Sequence, residues 1–299
     1  MFVEAIEKAG AFTRPIFTIM RRYGSSEVIP GSATLFFVNE DGWAVTSKGV
    51  AKMILDAGTI DKKYAEFLEK KKTIPQGFNL EEGVRQLEEM YQYKQETVVQ
   101  LKVNFVGCVD VVKGVQCKMH PKLDLALVHF EGFEKIGYSQ SAVLAGVGSE
   151  LKPGKSLCRL GFPFPEFRNY RYDVDREDIQ WTKEGRATMP RFPSDGMVTR
   201  LVGSPEGIVG AEMSTPGFRG QEGGPVFDAN GVVYGMYSGV SPLNFGMCIH
   251  VDRIKDFLRQ EKVSYQTDKP EPEVSLEKTR ESEQLLDMAV DSDAYDKLN

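Results

Sequence analysis

Short runs of alternating apolar and polar residues cover most of the chain and predict β-strands joined by turns. The first two predicted strands are Pro15–Met20 and Gly31–Val38, both rich in β-branched and aromatic residues. Later runs of the same kind are Val98–Val106, Leu157–Pro163, Asp195–Arg200 and Phe245–Val251. An Asn230-Gly231 pair between two such runs is typical of a tight hairpin. The pattern therefore predicts a chain dominated by β-structure.

Helical periodicity interrupts this pattern between about residues 58 and 96. Ile60, Tyr64 and Phe67 fall on one helical face, and Asn79–Glu82 resembles a capping box that begins a second helix. We expect these two helices to patch the surface of the first β-domain rather than to form a docking arm. A further helix is predicted near the end of the folded part, with Asp252 as its cap.

Two other segments depart from regular alternation. The loop Phe164–Pro193 carries many aromatic residues, which favours packing over the end of a barrel, with a peptide-binding rim as the alternative. Residues 263–299 are acidic and contain scattered prolines, so we expect a flexible tail with at most a transient helix at Leu285–Val290.

Composition limits the classes of partner. The 299 residues are 41% hydrophobic and 27% charged, as in ordinary soluble globular proteins. A formal net charge of −6 provides no basic excess to neutralise phosphates, so no nucleic-acid partner is expected. Runs long enough to span a bilayer are absent from the sequence, and charges at Glu4, Glu7 and Lys8 break up the opening segment as a signal peptide. We therefore expect a cytoplasmic protein without a membrane partner.

The four cysteines leave two interpretations open. Cys108 and Cys117 flank a predicted turn, so a cross-strand disulfide is conceivable, but reduced, half-buried thiols fit a chain without export signals better. Cys158 and Cys248 lie in apolar strands and are predicted to be core residues. With neither a C-x-x-C pair nor a cluster of His and Cys in the sequence, we expect no metal site and no cofactor.

The glycine-dense stretch Gly217–Asp228 is the strongest candidate for a functional site. Its glycines permit backbone shapes that leave amide groups free to point at a ligand. Its core, GQEGGP, resembles the GxSGGP motif of the trypsin/chymotrypsin-like serine peptidases, including bacterial trypsin-like peptidase domains. Gly42–Val50 resembles the segment that carries the histidine of that family, and Lys122–Val128 resembles the segment that carries its aspartate.

The resemblance implies an all-β-dominated, chymotrypsin-like double β-barrel with a helical insertion in the first barrel and a C-terminal helix. It implies an N-terminal barrel over residues 1–145, with the insertion at about 58–96, and a C-terminal barrel with its closing helix over residues 146–262. The catalytic positions would be Gly49, Asp124 and Glu222, of which only Asp124 keeps the residue type of the family.

Further roles carry over by position. The amides of Gly220 and Glu222 would form the oxyanion site, and Pro216 would lie near the base of the primary specificity pocket. Gln221 holds the position at which many secreted members carry an aspartate. Lys48 is a candidate to neutralise Glu222, although alternation along its segment could equally direct it to solvent.

These residue types change the expected chemistry. Acyl transfer needs a nucleophile activated by a base, and Gly49 has no side chain with which to carry a proton. The Glu222 carboxylate could itself occupy an oxyanion site built for negative charge. We therefore expect a pseudoprotease that binds peptide or protein partners through the old cleft and by addition of a strand to the sheet edge.

Three alternatives stay open at this point. The chain could be a serine endopeptidase, either through an unobvious base or as an inactivated version of an active enzyme. His120 or His129 could supply such a base. Asp124 and Glu222 could also form a pair of carboxylates that acts by acid–base catalysis, since like charges held close raise one pKa.

Overall fold

A computed structural model describes residues 2–75, 79–205 and 207–270 of the chain. Within them, the helices are α1 (Val3–Phe12), α2 (Lys48–Lys72), α3 (Leu80–Tyr91) and α4 (Val251–Gln260). The remaining regular structure is β, so the predicted β-dominated fold class is confirmed. The acidic segment after residue 270, including the helix predicted at Leu285–Val290, lies outside the described residues.

The first sheet has six antiparallel strands in the order β4-β1-β2-β3-β6-β5. These strands are β1 (Thr13–Arg22), β2 (Ile29–Phe37), β3 (Trp43–Thr46), β4 (Val98–Phe105), β5 (Gly114–Met119) and β6 (Ala126–Glu131). Ile16, Leu35, Phe37 and Phe130 are fully buried in the cluster that its strands enclose. Strands β1, β2 and β4 occur where alternation predicts strands.

The second sheet contains a closed ring of six antiparallel strands, β13-β8-β11-β12-β15-β14, because β13 pairs with both β8 and β14. Its strands are β7 (Val143–Leu144), β8 (Ser156–Gly161), β11 (Phe192–Ser204), β12 (Gly207–Met213), β13 (Pro225–Phe227), β14 (Val233–Val240), β15 (Gly246–His250) and β16 (Gln266–Thr267). Closure pairs most of the backbone edges that an open sheet would leave free. The chain therefore holds two barrel-like sheets, as expected.

Helix α2 covers the gap between the two edge strands of the first sheet, which do not pair with each other. It contacts both edge strands of that sheet, β4 and β5. The carboxylate of Asp61 accepts a hydrogen bond from the Leu101 amide of β4 at 2.9 Å, which satisfies a backbone donor at the strand edge. The helices of the insertion thus complete the first barrel, in agreement with the expectation that they patch its surface.

A short hairpin within the aromatic-rich loop contacts the helical insertion. It consists of β9 (Tyr170–Asp173) and β10 (Asp178–Trp181). The buried guanidinium of Arg21 lies 5.0 Å from the ring centroids of both Tyr64, on α2, and Tyr172, on the hairpin. Lys71 of α2 pairs with Glu177 at the hairpin tip at 2.8 Å. Most of the loop therefore packs over the barrels, as predicted.

Several boundaries differ from the sequence predictions. Helix α2 begins at Lys48, about ten residues before the predicted insertion, because Ser47 caps it by accepting from the Val50 amide. Helix α4 is capped by His250 rather than by Asp252, since Nδ1 of His250 accepts the Asp252 amide. Residues 263–270 were assigned to the flexible tail, but β16 pairs with β7.

Helix α1 was not predicted, although Ala5, Ala9 and Phe12 recur at helical spacing and are buried. All four cysteines are free thiols, and Cys108, Cys158 and Cys248 are buried. Within the described ranges, no helix combines the length and the apolar character needed to cross a bilayer.

Candidate functional site

The stretch Gly217–Asp228 forms a tight turn that ends in strand β13. Gly220 and Gly223 adopt φ values of +96° and +86°, a region that favours glycine. A Cβ on Gly223 would lie 2.3 Å from Oγ1 of Thr46 and 2.4 Å from the carbonyl oxygen of Thr34. Both neighbours belong to the first barrel, so this glycine lets the turn of the second barrel dock closely against the first.

The Thr34 hydroxyl is the hydrogen-bonding centre of this contact. Its Oγ1 donates to the Gly220 carbonyl at 2.7 Å and accepts from the Phe162 amide at 3.1 Å. The Thr34 carbonyl accepts from Oγ1 of Thr46 at 2.8 Å. Thr34 is completely buried, so no water replaces these partners. One side chain of the first barrel thereby positions both the turn and the end of β8.

Glu222 folds back on its own turn. Its Oε2 accepts a hydrogen bond from the Gly220 amide at 2.5 Å. That amide is one of the two donors that the family resemblance assigns to the oxyanion site. The side chain is half-buried, so the carboxylate lies at the surface of the turn rather than in the core. An anion of the chain itself thus uses the donor that a substrate oxyanion would need.

Gly49 and Asp124 meet at the beginning of α2. Asp124 accepts a hydrogen bond from the Lys48 amide at 2.9 Å, which stabilises the free donors at the helix N-terminus. Gly49 is the next residue, and a Cβ there would meet only Oγ of Ser47, at 3.9 Å. Nζ of Lys48 donates to the Pro121 carbonyl at 3.2 Å. In the described part of the chain it forms no ion pair with Glu222, so neutralisation of Glu222 by Lys48 is not observed.

All three histidines have structural partners. Nδ1 of His120 accepts from the amides of Lys122 and Leu123 at 3.1 and 3.0 Å, and its ring packs against Phe257. Burial, together with the nearby charge of Lys48, lowers the pKa of His120 to about 4. His129 stacks on Trp43, and His250 caps α4. None of these contacts places an imidazole against a hydroxyl or thiol nucleophile.

Gln221 holds the turn together from inside. Its side chain is completely buried. Its Oε1 accepts a hydrogen bond from the Phe218 amide, and its Nε2 donates one to the Phe192 carbonyl, both at 2.9 Å. The rings of Phe164, Phe192 and Phe218 then pack on one another with centroids 5.0 to 5.8 Å apart. We call these three residues the phenylalanine rim. Gln221, predicted as a binding residue, instead supports this rim.

Arg159, which sequence analysis missed, fills the space behind the turn. This fully buried side chain donates from Nε to Oγ of Ser194 at 2.8 Å and from Nη2 to the Thr215 carbonyl at 2.7 Å. Its guanidinium lies 5.1 Å from the Tyr237 ring, and burial lowers its pKa. Thr215 precedes Pro216, so the Arg159 guanidinium lies beside the residue assigned to the base of a specificity pocket. An isolated arginine in a strand gives no sequence signal for this.

Comparisons with known proteins give fold neighbours only. No family model matches the sequence, and no curated protein matches it. Among solved structures, the chain is similar to an HtrA-type protease, AlgW, with a decapeptide (TM-score 0.49, 11% identity, 87% of this chain and 66% of that one). It is also similar to the Rv3671c protease from M. tuberculosis in its active form (TM-score 0.46, 11% identity, 88% and 86%). At these values neither similarity indicates a shared activity.

Replacement of Thr34 by valine tests the contact between the barrels. Valine keeps the shape but removes the hydroxyl, so the Gly220 carbonyl and the Phe162 amide lose their partner in a buried place. We expect Thr34→Val to lower the free energy of unfolding by about 1–3 kcal/mol in urea denaturation. Thr59→Val, at an exposed position of α2, serves as the control and is expected to change it by less than about 0.5 kcal/mol. Equal effects would contradict the role of Thr34.

The low pKa of His120 predicts a pH-dependent loss of stability. With a folded pKa of about 4 against 6.5 for the free ring, the unfolded chain takes up a proton between pH 7 and pH 5 that the folded chain does not. The contribution of His120 to the free energy of unfolding is therefore fully present above pH 6.5, and it is lost as the pH falls towards 4. We expect His120→Asn, which keeps an acceptor but cannot titrate, to reduce the pH 7 to pH 5 loss in unfolding free energy by on the order of 1 kcal/mol. An unchanged loss would contradict this.

Proposed function

We propose that this chain is a pseudoprotease of trypsin-like fold that binds a peptide or a protein segment without cleaving it. The observation that carries the proposal is the hydrogen bond from the Gly220 amide to the Glu222 carboxylate. In a serine peptidase this amide must stay free for the developing oxyanion, which makes one of the largest contributions to catalysis. Here Glu222, at the position proposed for the nucleophile, places its carboxylate on this amide instead.

The other groups around the turn support the same proposal. A peptidase needs a base next to its nucleophile, and position 49 offers only backbone. Asp124 is engaged by the Lys48 amide, and Glu222 by the Gly220 amide. The histidines are held by backbone amides or by aromatic rings. None of the three histidines contacts a hydroxyl or a thiol that it could activate.

Strand β14 offers a place for an extended peptide. Strand β13 pairs with it only as far as Met236, and Gly223 and Gly224 bond to Tyr237. Among the described residues nothing pairs with the following segment, Ser238–Val240, on that side. An unpaired edge accepts an added strand, whose main-chain bonds give affinity and whose side chains meet neighbouring pockets. The phenylalanine rim, in which Phe218 is 45% exposed, provides an apolar contact, and the preceding residue, Gly217, lies against the Tyr237 ring of β14.

Peptide selection tests the proposal directly. Dodecapeptides selected from a random displayed library on the immobilised chain are expected to bind in fluorescence anisotropy and to be recovered intact by mass spectrometry. Phe218→Ser is expected to weaken binding by about tenfold, because exposed aromatic anchors contribute most to such interfaces. Leu55→Ser is the matched control, since Leu55 is also 45% exposed but lies on α2. Cleavage of a selected peptide, or equal affinities of Phe218→Ser and wild type, would contradict the proposal.

A double substitution tests the assignment of the catalytic positions. Glu222→Ser removes the carboxylate from the Gly220 amide and adds a hydroxyl, and Gly49→His adds a base where the structure has room for a side chain. We expect the double variant to react with a fluorophosphonate probe, detected by in-gel fluorescence. The Glu222→Ser single variant lacks a base and is expected to stay unlabelled, as is the wild type. An unlabelled double variant that folds would show that positions 49 and 222 do not face each other productively.

A further inference from the structure

A cavity of about 290 Å³ is lined in part by Phe162, at the end of β8. It is formed where the end of α1 and strand β1 meet the end of β4 and the segment before β11. Its lining combines an apolar wall with two arginines: Pro15, Phe17, Val106, Phe162 and Met189 supply the wall, and Arg14 and Arg191 the charge. Cavities of this size where separate parts of a fold meet are typical places for small ligands.

The wall of the cavity is rigid and apolar. Phe17 is fully buried and stacks on Phe167 with ring centroids 4.2 Å apart. Phe162 is 4% exposed and Met189 9% exposed, so both present their side chains mainly to the interior. An apolar group in this space would remove from water the surface that Val106, Phe162 and Met189 still expose, at about 25 cal/mol for each Å².

Arg14 carries a charge that no carboxylate neutralises. Four of its five N–H groups donate to the carbonyls of Gly10, Thr13, Gly107 and Gly137, at 2.8 to 2.9 Å. These partners fix the guanidinium but carry no negative charge, and within the described residues no carboxylate lies within 4.0 Å of it. Burial lowers the pKa of Arg14, and the neighbouring positive charge of Arg191 lowers it further.

Arg191 is held over the same cavity by close contact with Gly10. Its Nη1 would lie 1.5 Å from a Cβ at position 10, so the guanidinium rests on the bare backbone of α1. Its one carboxylate contact in the described structure is with Glu7, 3.6 Å away and 72% exposed, which is a weak, solvent-screened pair. Two guanidinium groups therefore face one apolar space with little negative charge nearby.

We propose that this cavity binds a small organic anion, one carboxylate attached to a compact apolar body. The carboxylate meets Arg191 and the remaining Nη2 hydrogen of Arg14, while the apolar body lies against Val106, Phe162 and Met189. The bound anion supplies the negative charge that the site lacks, and charge-assisted hydrogen bonds to a guanidinium are among the stronger ones in proteins. Both a free fatty acid and the C-terminus of a peptide that ends in an apolar residue have this chemistry. The site does not depend on the function proposed for the Glu222 turn.

Isothermal titration calorimetry on the full chain tests this proposal with four probes. Octanoate and N-acetyl-leucine represent the fatty-acid and peptide sources, and whichever binds more tightly identifies the source. Octanol lacks the charge and acetate lacks the apolar body, so we expect each to bind at least about tenfold more weakly than the better anion. Failure of both amphiphilic anions to bind, or octanol binding as tightly as octanoate, would overturn the proposal.

Variants locate the binding within the molecule. Arg191→Gln is expected to weaken the binding of the tighter-binding probe by about tenfold. Gly10→Ala is expected to weaken it equally, because its methyl group displaces the Arg191 guanidinium from α1. Arg176→Gln is the matched control, because Arg176 is an exposed arginine at the tip of the β9–β10 hairpin. Unchanged thermal midpoints confirm that the variants fold. Binding that survives both Arg191→Gln and Gly10→Ala, or that falls equally in Arg176→Gln, would place the anion elsewhere and end the proposal.

Discussion

A buried hydroxyl, that of Thr34, holds the Glu222 turn of the second barrel against the first. It donates to the Gly220 carbonyl within that turn and accepts from the Phe162 amide at the end of β8. Inside a protein such groups cannot turn to water for a partner, so each contact fixes a position as well as adding stability. The shape of the turn, and hence the place of the Glu222 carboxylate, follows from a side chain in the other barrel.

Strand positions were predictable because alternation is a local property. Strands β1, β2, β4 and β15 lie where side-chain period two indicated them, and the hairpin at Asn230-Gly231 forms at its turn signal. The start of α2 was not predictable from alternation. Residues 42–50 continue the apolar strand pattern, while a cap at Ser47 and the distant Asp124 carboxylate convert its end into a helix. The contact between Lys48 and Asp124, 76 positions apart, produces no recognisable pattern in the local sequence.

In the candidate site, too, some features were predictable from the sequence and others were not. The glycines of the turn were visible because their positive φ values and close contacts demand that residue type. Arg159 was not visible, since its role depends on Thr215, Ser194 and Tyr237, which converge only in the folded barrel. Lys48 was interpreted through a strand that turned out to be a helix start, and its side chain consequently follows a different direction.

The carboxamide of Gln221 has a consequence for how the turn is assembled. A neutral amide that both donates and accepts, to Phe192 and from Phe218, needs no counter-ion. The link between the Phe192 and Phe218 segments of the phenylalanine rim is therefore expected to be insensitive to ionic strength, because salt screens charges rather than neutral amide bonds.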